Sequence, residues 1–155
     1  MAATAEEKTT GEKNSSREKN IATIRLFVNL IERRDIKAFL DLFANDGVQY
    51  NYFQCGMLPP VIRGKAALTE FWTPIPEKFA EMHFPIETIY PMLDQTLYGV
   101  KYRGYTKFKD SEKHYDNEYF ALFFFNEDGK IKEYHEYSNP VITARSFGMV
   151  DKILS

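Results

Sequence analysis

The sequence predicts an α+β fold, with helices from the first half of the chain packed on one side of a curved antiparallel sheet. Three observations carry this. Two apolar stripes at helical spacing open the chain, at Ile21–Ile31 and Ile36–Phe43. Four strand-length segments joined by short polar turns fill the second half. Two of those, Thr96–Lys109 and Lys113–Phe125, are long enough to suit a bent sheet rather than a flat one.

Residues 1–16 are small, polar and charge-balanced and read as a disordered tail, leaving 17–155 as a single domain. Ser15 and Glu18 have the spacing of a capping box. The first helix then buries Ile21, Ile24, Val28 and Ile31, with Phe27 and Leu30 widening the stripe. Asp35 caps a second helix with buried positions Ile36, Phe39, Leu40 and Phe43, closed by Asn45-Asp46-Gly47. Val48–Gln54 reads as a strand and Val61-Ile62 as a short pairing segment. Lys65–Thr73 is a third helix with Ala67, Leu68, Phe71 and Trp72 on its apolar side. Pro74 and Pro76 interrupt it, and Glu77–Met82 resumes as one or two helical turns. An antiparallel meander follows: His83–Tyr90, Thr96–Lys109, Lys113–Phe125 and Lys130–Ser138. Val141–Phe147 forms a C-terminal helix stopped by Gly148.

Composition narrows the function classes. A net charge of −2 gives no electrostatic basis for nucleic-acid binding. No apolar run reaches membrane-spanning length, and the first twenty residues lack the apolar core of a secretory signal, so a cytoplasmic protein is expected. The lone Cys55 excludes an internal disulfide and reads as a small buried hydrophobe. Thirteen Phe and ten Tyr suit a core that includes a wet cavity, since buried phenols need partners or water. The Tyr119–Phe125 strand is apolar on both alternating faces, and a partner subunit is the simplest cover for the second face; a homodimer is expected there.

The usual motifs of cofactor and covalent chemistry are missing. There is no phosphate-cradling glycine loop, no metal-ligand spacing among His83, His114 and His135, and no nucleophile elbow. Neither a metal nor another cofactor is expected. Proton transfer by a carboxylate in a cavity remains, and Lys130–Ser138 concentrates the groups for it: Glu133, Tyr134, His135, Glu136 and Tyr137. Alternation places Lys132, Tyr134, Glu136 and Ser138 on one face, and Ile131, Glu133, His135 and Tyr137 on the other; neither is cleanly apolar. Glu136 is the candidate acid/base group, with a solvated strand glutamate as the plain alternative. Tyr50, Tyr52, Tyr119 and Tyr134 are candidate cavity hydroxyls, Phe71 and Trp72 candidate walls, and His83 a candidate rim residue. Asp116 and Glu118 can face Glu136 across the ladder.

The order of these elements resembles the SnoaL-like branch of the nuclear transport factor 2-like superfamily. Asp35–Val48 is similar to its opening helical motif, and Ile62-Arg63-Gly64-Lys65 to the approach to its third helix. The likeness spans roughly residues 18–150. Within this branch the chain is most similar to the phenazine-biosynthesis A/B type, whose Asn-Gly-Arg-Ile-Lys turn leads to Arg-Glu-Phe-Met-Asn-Pro. Here the turn is Asp128-Gly129-Lys130-Ile131-Lys132, leading to His135-Glu136-Tyr137-Ser138-Asn139-Pro140. The resemblance implies a cone of bent antiparallel sheet closed by three helices from the first half of the chain. It also implies the acid/base role at Glu136. It puts Phe71 where the phenazine type has a histidine that works with the glutamate, a departure at an important place.

The expectation is a cofactor-independent isomerase, cyclase or dehydratase acting on a small carbonyl-bearing, cyclic metabolite, with Glu136 moving the proton. The alternative is a small-molecule-binding or dimeric assembly module without catalysis.

Overall fold

A computed structural model describes residues 4–155. Helix α1 runs Ala5–Glu32, so the expected tail is helical from Ala5 on, and Ser15 lies inside the helix rather than capping it. Residues 11–16 nevertheless stay exposed, with no apolar stripe to bury; residues 1–3 of the expected tail lie outside the described residues. Packing begins at Asn20, and Ile24, Phe27, Val28, Leu30 and Ile31 form the buried stripe. A tight corner with Arg34 at φ 62° leads to α2 (Ile36–Leu40), where the Asp35 side chain accepts from the Ala38 amide as expected.

The second helix is shorter than its apolar pattern suggests. Phe43 starts strand β1 (Phe43–Tyr52) by pairing with Ile131, and Asn45-Asp46-Gly47 falls in the irregular stretch of that strand. Long-range pairing here overrides helical periodicity. After β2 (Val61–Arg63) and α3 (Gly64–Trp72) comes a short 3₁₀ turn, Pro76–Lys78. The expected resumption of helix over Glu77–Met82 is replaced by strand β3 (Phe79–His83). Two things pull it into the sheet. Its backbone pairs with the strand that follows, and the Arg34 guanidinium donates to the carbonyls of Pro76, Phe79 and Ala80. Arg34, though exposed, is therefore a clip between α1 and β3.

The remaining strands fall close to expectation: β4 (Ile86–Pro91), β5 (Leu97–Phe108), β6 (His114–Phe125) and β7 (Ile131–Ser138). Helix α4 (Pro140–Ser146) ends before Gly148 at φ +68°, and a short α5 (Asp151–Leu154) follows, which the sequence pattern did not indicate. The seven strands form one curved sheet in the order β2-β1-β7-β6-β5-β3, with β4 on β5. It is mixed, not purely antiparallel, because β1 and β7 lie parallel, one strand in from the β2 edge.

The inner face packs on α1–α3. Phe27 sits at its middle, with ring centroids 4.8 Å from Phe39, 5.0 Å from Phe123 and 4.9 Å from Tyr134. In β6 the residues Tyr119, Ala121, Phe123 and Phe125 point into this core, so the chain's own helices cover half of the segment expected at a dimer face. Phe120, Leu122 and Phe124 point the other way, and Phe120 is exposed. Cys55 is exposed as well, at the turn after β1, which corrects its reading as a buried hydrophobe. Among the described residues no helix is long and apolar enough to cross a membrane.

Candidate active site

One irregularity explains why alternation in Lys130–Ser138 is unreadable. Phe124 and Phe125 of β6 oppose Glu133 and Ile131, so Lys132 is an extra residue in β7. A one-residue bulge switches the parity of everything before it. Ile131 and Tyr134 thus both point inward although they are three residues apart, and both are fully buried. Beyond the bulge the period of two resumes, and Glu136 follows Tyr134 to the inner face.

The inner face and the surrounding helices enclose a cavity of about 410 Å³. Strands β5, β6 and β7 each deliver polar groups to one wall: Tyr102, Tyr115, Tyr119 and Glu136. The opposite wall is mostly apolar, with Val28 and Ile31 from α1, Phe71 and Trp72 from α3, and Met82 from β3, alongside Glu70 and Lys78. Phe147 and Met149 close it from the C-terminal segment. Gly104 makes room for the polar wall, since an added Cβ there would come within 2.9 Å of the rings of Tyr119 and Phe84.

Glu136 is half-buried, and what surface it keeps is on the cavity wall. Loss of hydration disfavours the carboxylate and raises its pKa from 4.5 to about 7, against the opposing effect of a hydrogen bond from Tyr134. That bond is 2.8 Å, from the Tyr134 hydroxyl to Oε2 of Glu136. The Tyr134 hydroxyl has one proton and gives it to the carboxylate, so in its 2.6 Å contact with Tyr102 it accepts. Tyr102, Tyr134 and Glu136 therefore form a directed chain. Burial, and then the Glu136 charge, push the Tyr102 and Tyr134 phenols well above their ordinary values, so both remain O–H donors.

A second polar cluster lies along the same wall. The Tyr119 hydroxyl donates to that of Tyr115 at 3.2 Å, while the Tyr119 ring stacks on Tyr102 with centroids 4.8 Å apart. Tyr115 also contacts Oγ1 of Thr143 at 3.2 Å and accepts from Asn117 at 3.2 Å. On the β1 side, the Trp72 indole donates to Gln49 at 2.8 Å, which fixes the ring as a wall.

The structure brings Glu136, Tyr119, Phe71 and Trp72 to the cavity and sets Tyr134 behind Glu136. It does not bring Tyr50, Tyr52 or His83. Tyr50 and Tyr52 pair with His135 and Tyr137 across β1 and β7, so their side chains lie on the outer sheet face. There Tyr52 stacks on Tyr137, with centroids 4.6 Å apart, and His135 bonds Glu133 at 2.8 Å. His83 is largely exposed and pairs with Glu32 at 3.0 Å, away from the cavity. Asp116 and Glu118 do not meet Glu136 either: the register sets Ala121 opposite it, Asp116 accepts from the Thr106 amide, and Glu118 pairs with Arg103.

Tyr102, Tyr115, Gln49 and Thr143 are among the cavity residues that sequence reading missed, as are Glu70, Lys78 and Thr106. A signal existed for two of them. Lys101, Arg103 and Lys107 mark the solvent parity of β5, and Asp116 and Glu118 that of β6, which leaves Tyr102 and Tyr115 on the inner parity.

Comparison with known proteins agrees with this architecture. The family model described as the SnoaL-like domain matches residues 24–134. The uncharacterised protein YesE of Bacillus subtilis (strain 168) is 25% identical over 132 residues, covering 84% of this chain and 88% of its own. A crystal structure of a provisionally assigned isomerase from Bacillus subtilis superposes with a TM-score of 0.79 at 23% identity, over 86% of this chain and 96% of that one. A phenazine biosynthesis-related protein of Pseudomonas aeruginosa does so with a TM-score of 0.74 at 24% identity, over 90% and 92%. The fold is the nuclear transport factor 2-like, ketosteroid isomerase-like one.

Proposed function

The chain belongs to the SnoaL-like domain family, and from that membership we propose that it is a cofactor-independent acid/base enzyme of the isomerase, cyclase or dehydratase kind. Its substrate is a small, carbonyl-bearing, cyclic metabolite held in the cavity. The observation that carries the reading is the Glu136 carboxyl, raised to about 7 and facing a largely apolar space of small-molecule size. A base with a pKa near the working pH is ionised often enough to act and basic enough to take a proton.

Glu136 removes the proton next to the carbonyl, and the electron pair moves onto the carbonyl oxygen. The Tyr134 hydroxyl holds the carboxylate in one orientation, and Tyr102 behind it keeps that hydroxyl pointing forward. Phenolic donors on the same wall meet the developing enolate oxygen. The apolar wall excludes water and keeps the charge shift strong. Return of the proton from Glu136 to another carbon gives isomerisation; attack by the enolate carbon on a second carbonyl of the substrate, whose oxygen then takes that proton, gives ring closure; departure of a β-hydroxyl as water, protonated by Glu136, gives dehydration. The isomerase assignment of the Bacillus subtilis neighbour is compatible with this chemistry. The same reading includes a homodimer, with Phe120, Leu122 and Phe124 on the outer sheet face as its centre.

The test is deuterium uptake next to the carbonyl of a panel of cyclic ketones in D₂O, followed by NMR. The wild type accelerates exchange, and Glu136→Gln, which keeps the shape and removes the base, abolishes it. Equal exchange in the two proteins sinks the proposal.

One observation favours a second reading, a ligand-binding module without catalysis. Phe71 presents a ring that can neither give nor take a proton where the third helix meets the cavity. A carboxyl titrating near its ordinary value, measured by NMR, decides for that module.

A further inference from the structure

The cluster at the foot of α4 has a donor count that singles out one hydroxyl. Asn117 is buried on β6, and its Oδ1 accepts from the backbone amides of Glu118 at 2.9 Å and Asn139 at 3.2 Å. Two backbone donors fix which end of the amide is oxygen, so its NH₂ must point the other way. That group donates to the Asn139 carbonyl at 3.1 Å and to the Tyr115 hydroxyl at 3.2 Å, with a longer contact of 3.3 Å to Thr143. Tyr119 donates to Tyr115 as well. Tyr115 therefore accepts twice, and its remaining hydrogen-bonding capacity is its own proton.

Among the described residues that proton has one acceptor, Oγ1 of Thr143 at 3.2 Å. Thr143 sends its own proton to the Asn139 carbonyl at 3.2 Å. A neutral Thr oxygen is a weak competitor for a phenol that is polarised from two sides. The Tyr115 ring lines the cavity between Phe79 and Phe147, with centroids 6.4 and 5.1 Å away. Its hydroxyl thus stands ready to turn from Thr143 to a ligand oxygen that carries charge.

We propose that Tyr115 is the hydrogen-bond donor to the substrate's carbonyl oxygen, and that Asn117 is the positioning residue that points it there. The inference rests on the acid/base reading of Glu136 for its chemistry. As the proton leaves carbon for Glu136, the electron pair collects on the substrate oxygen, and Tyr115 lengthens its bond to Thr143 to donate to that oxygen. No proton is transferred from Tyr115, and no redox partner is required. The ligand class that fits is a planar phenolate or enolate oxygen on an apolar ring. The docked α4 completes the subsite, since Asn117 holds both Asn139 at the head of that helix and the Tyr115 hydroxyl.

para-Nitrophenol tests this without knowledge of the substrate, because it presents a phenolate oxygen on a ring and its visible absorption separates bound phenolate from phenol. Saturable binding to the full-length wild type is expected. Tyr115→Phe weakens phenolate affinity about tenfold or more, the loss of a hydrogen bond to a charged oxygen. Thr143→Val removes the competing acceptor and tightens binding severalfold, an opposite sign that a merely structural role for the cluster does not produce. Asn117→Asp turns the Tyr115 proton toward the new carboxylate, so it weakens phenolate binding. No saturable binding by the wild type, unchanged affinity in Tyr115→Phe, or weakening in Thr143→Val overturns the proposal. Failure of the Glu136 reading looks different: Glu136→Gln then leaves deuterium exchange untouched while the Tyr115 and Thr143 effects on para-nitrophenol persist.

Discussion

Glu136→Gln changes stability in a pH-dependent way that follows from burial alone and needs no substrate. In the folded chain the carboxyl is raised from 4.5 to about 7 by loss of hydration, so the folded state holds its proton more tightly than the unfolded state. A raised folded pKa means that stability is fully present below the unfolded value and is lost as pH rises through the folded one. For these two values the loss is about 0.8 kcal/mol at pH 5 and about 3.4 kcal/mol at pH 8.5. Glutamine has no such dependence. It keeps an oxygen for the Tyr134 hydroxyl, and any cost of its NH₂ group is the same at both pH values. The stability difference between variant and wild type therefore moves by about 2.5 kcal/mol in favour of the variant between pH 5 and pH 8.5. In a chain of this size that corresponds to roughly 5–10 °C in Tm. Urea unfolding followed by circular dichroism at both pH values measures it, and the double difference cancels every other titrating group. A change below about 0.5 kcal/mol, or one of opposite sign, refutes the claim that Glu136 is desolvated.

Two further outcomes follow from the same geometry. Tyr134→Phe deletes the hydrogen bond that lowers the Glu136 pKa, so the carboxyl titrates above about 7, as carbon-13 NMR of the labelled glutamate will read. A value at or below the wild-type one contradicts the directed Tyr102–Tyr134–Glu136 chain. Phe120→Lys places a charge at the centre of the outer sheet face; sedimentation across a concentration range should show a dimer for the wild type and a monomer for the variant, whereas a wild-type monomer removes the dimer from the proposal.

Most of the elements are legible in the amino-acid pattern, because their signals are local. The α1 stripe, the Asp35 cap, the third helix and the four later strands each follow from short-range periodicity or turn chemistry. The pattern also marked the strand that carries Glu136. The features that the pattern leaves open depend on long-range pairing. Phe43 and Phe79–Met82 have helix-compatible patterns but enter the sheet, through Ile131 in one case and through β5 with the Arg34 clip in the other. The parallel β1–β7 pairing turns Tyr50 and Tyr52 outward and Gln49 inward, a choice no local pattern contains. The Lys132 bulge scrambled the alternation of β7, so its inner face had no apolar signature to read. Charged residues on the solvent parity of β5 and β6 did point to Tyr102 and Tyr115. Their meeting with Glu136, Asn117 and Thr143 required the register that brings residues far apart in the chain within hydrogen-bond reach. Periodicity constrains a residue's face once its element is known, but the neighbour across the ladder is set by pairing, and the site is made of those neighbours.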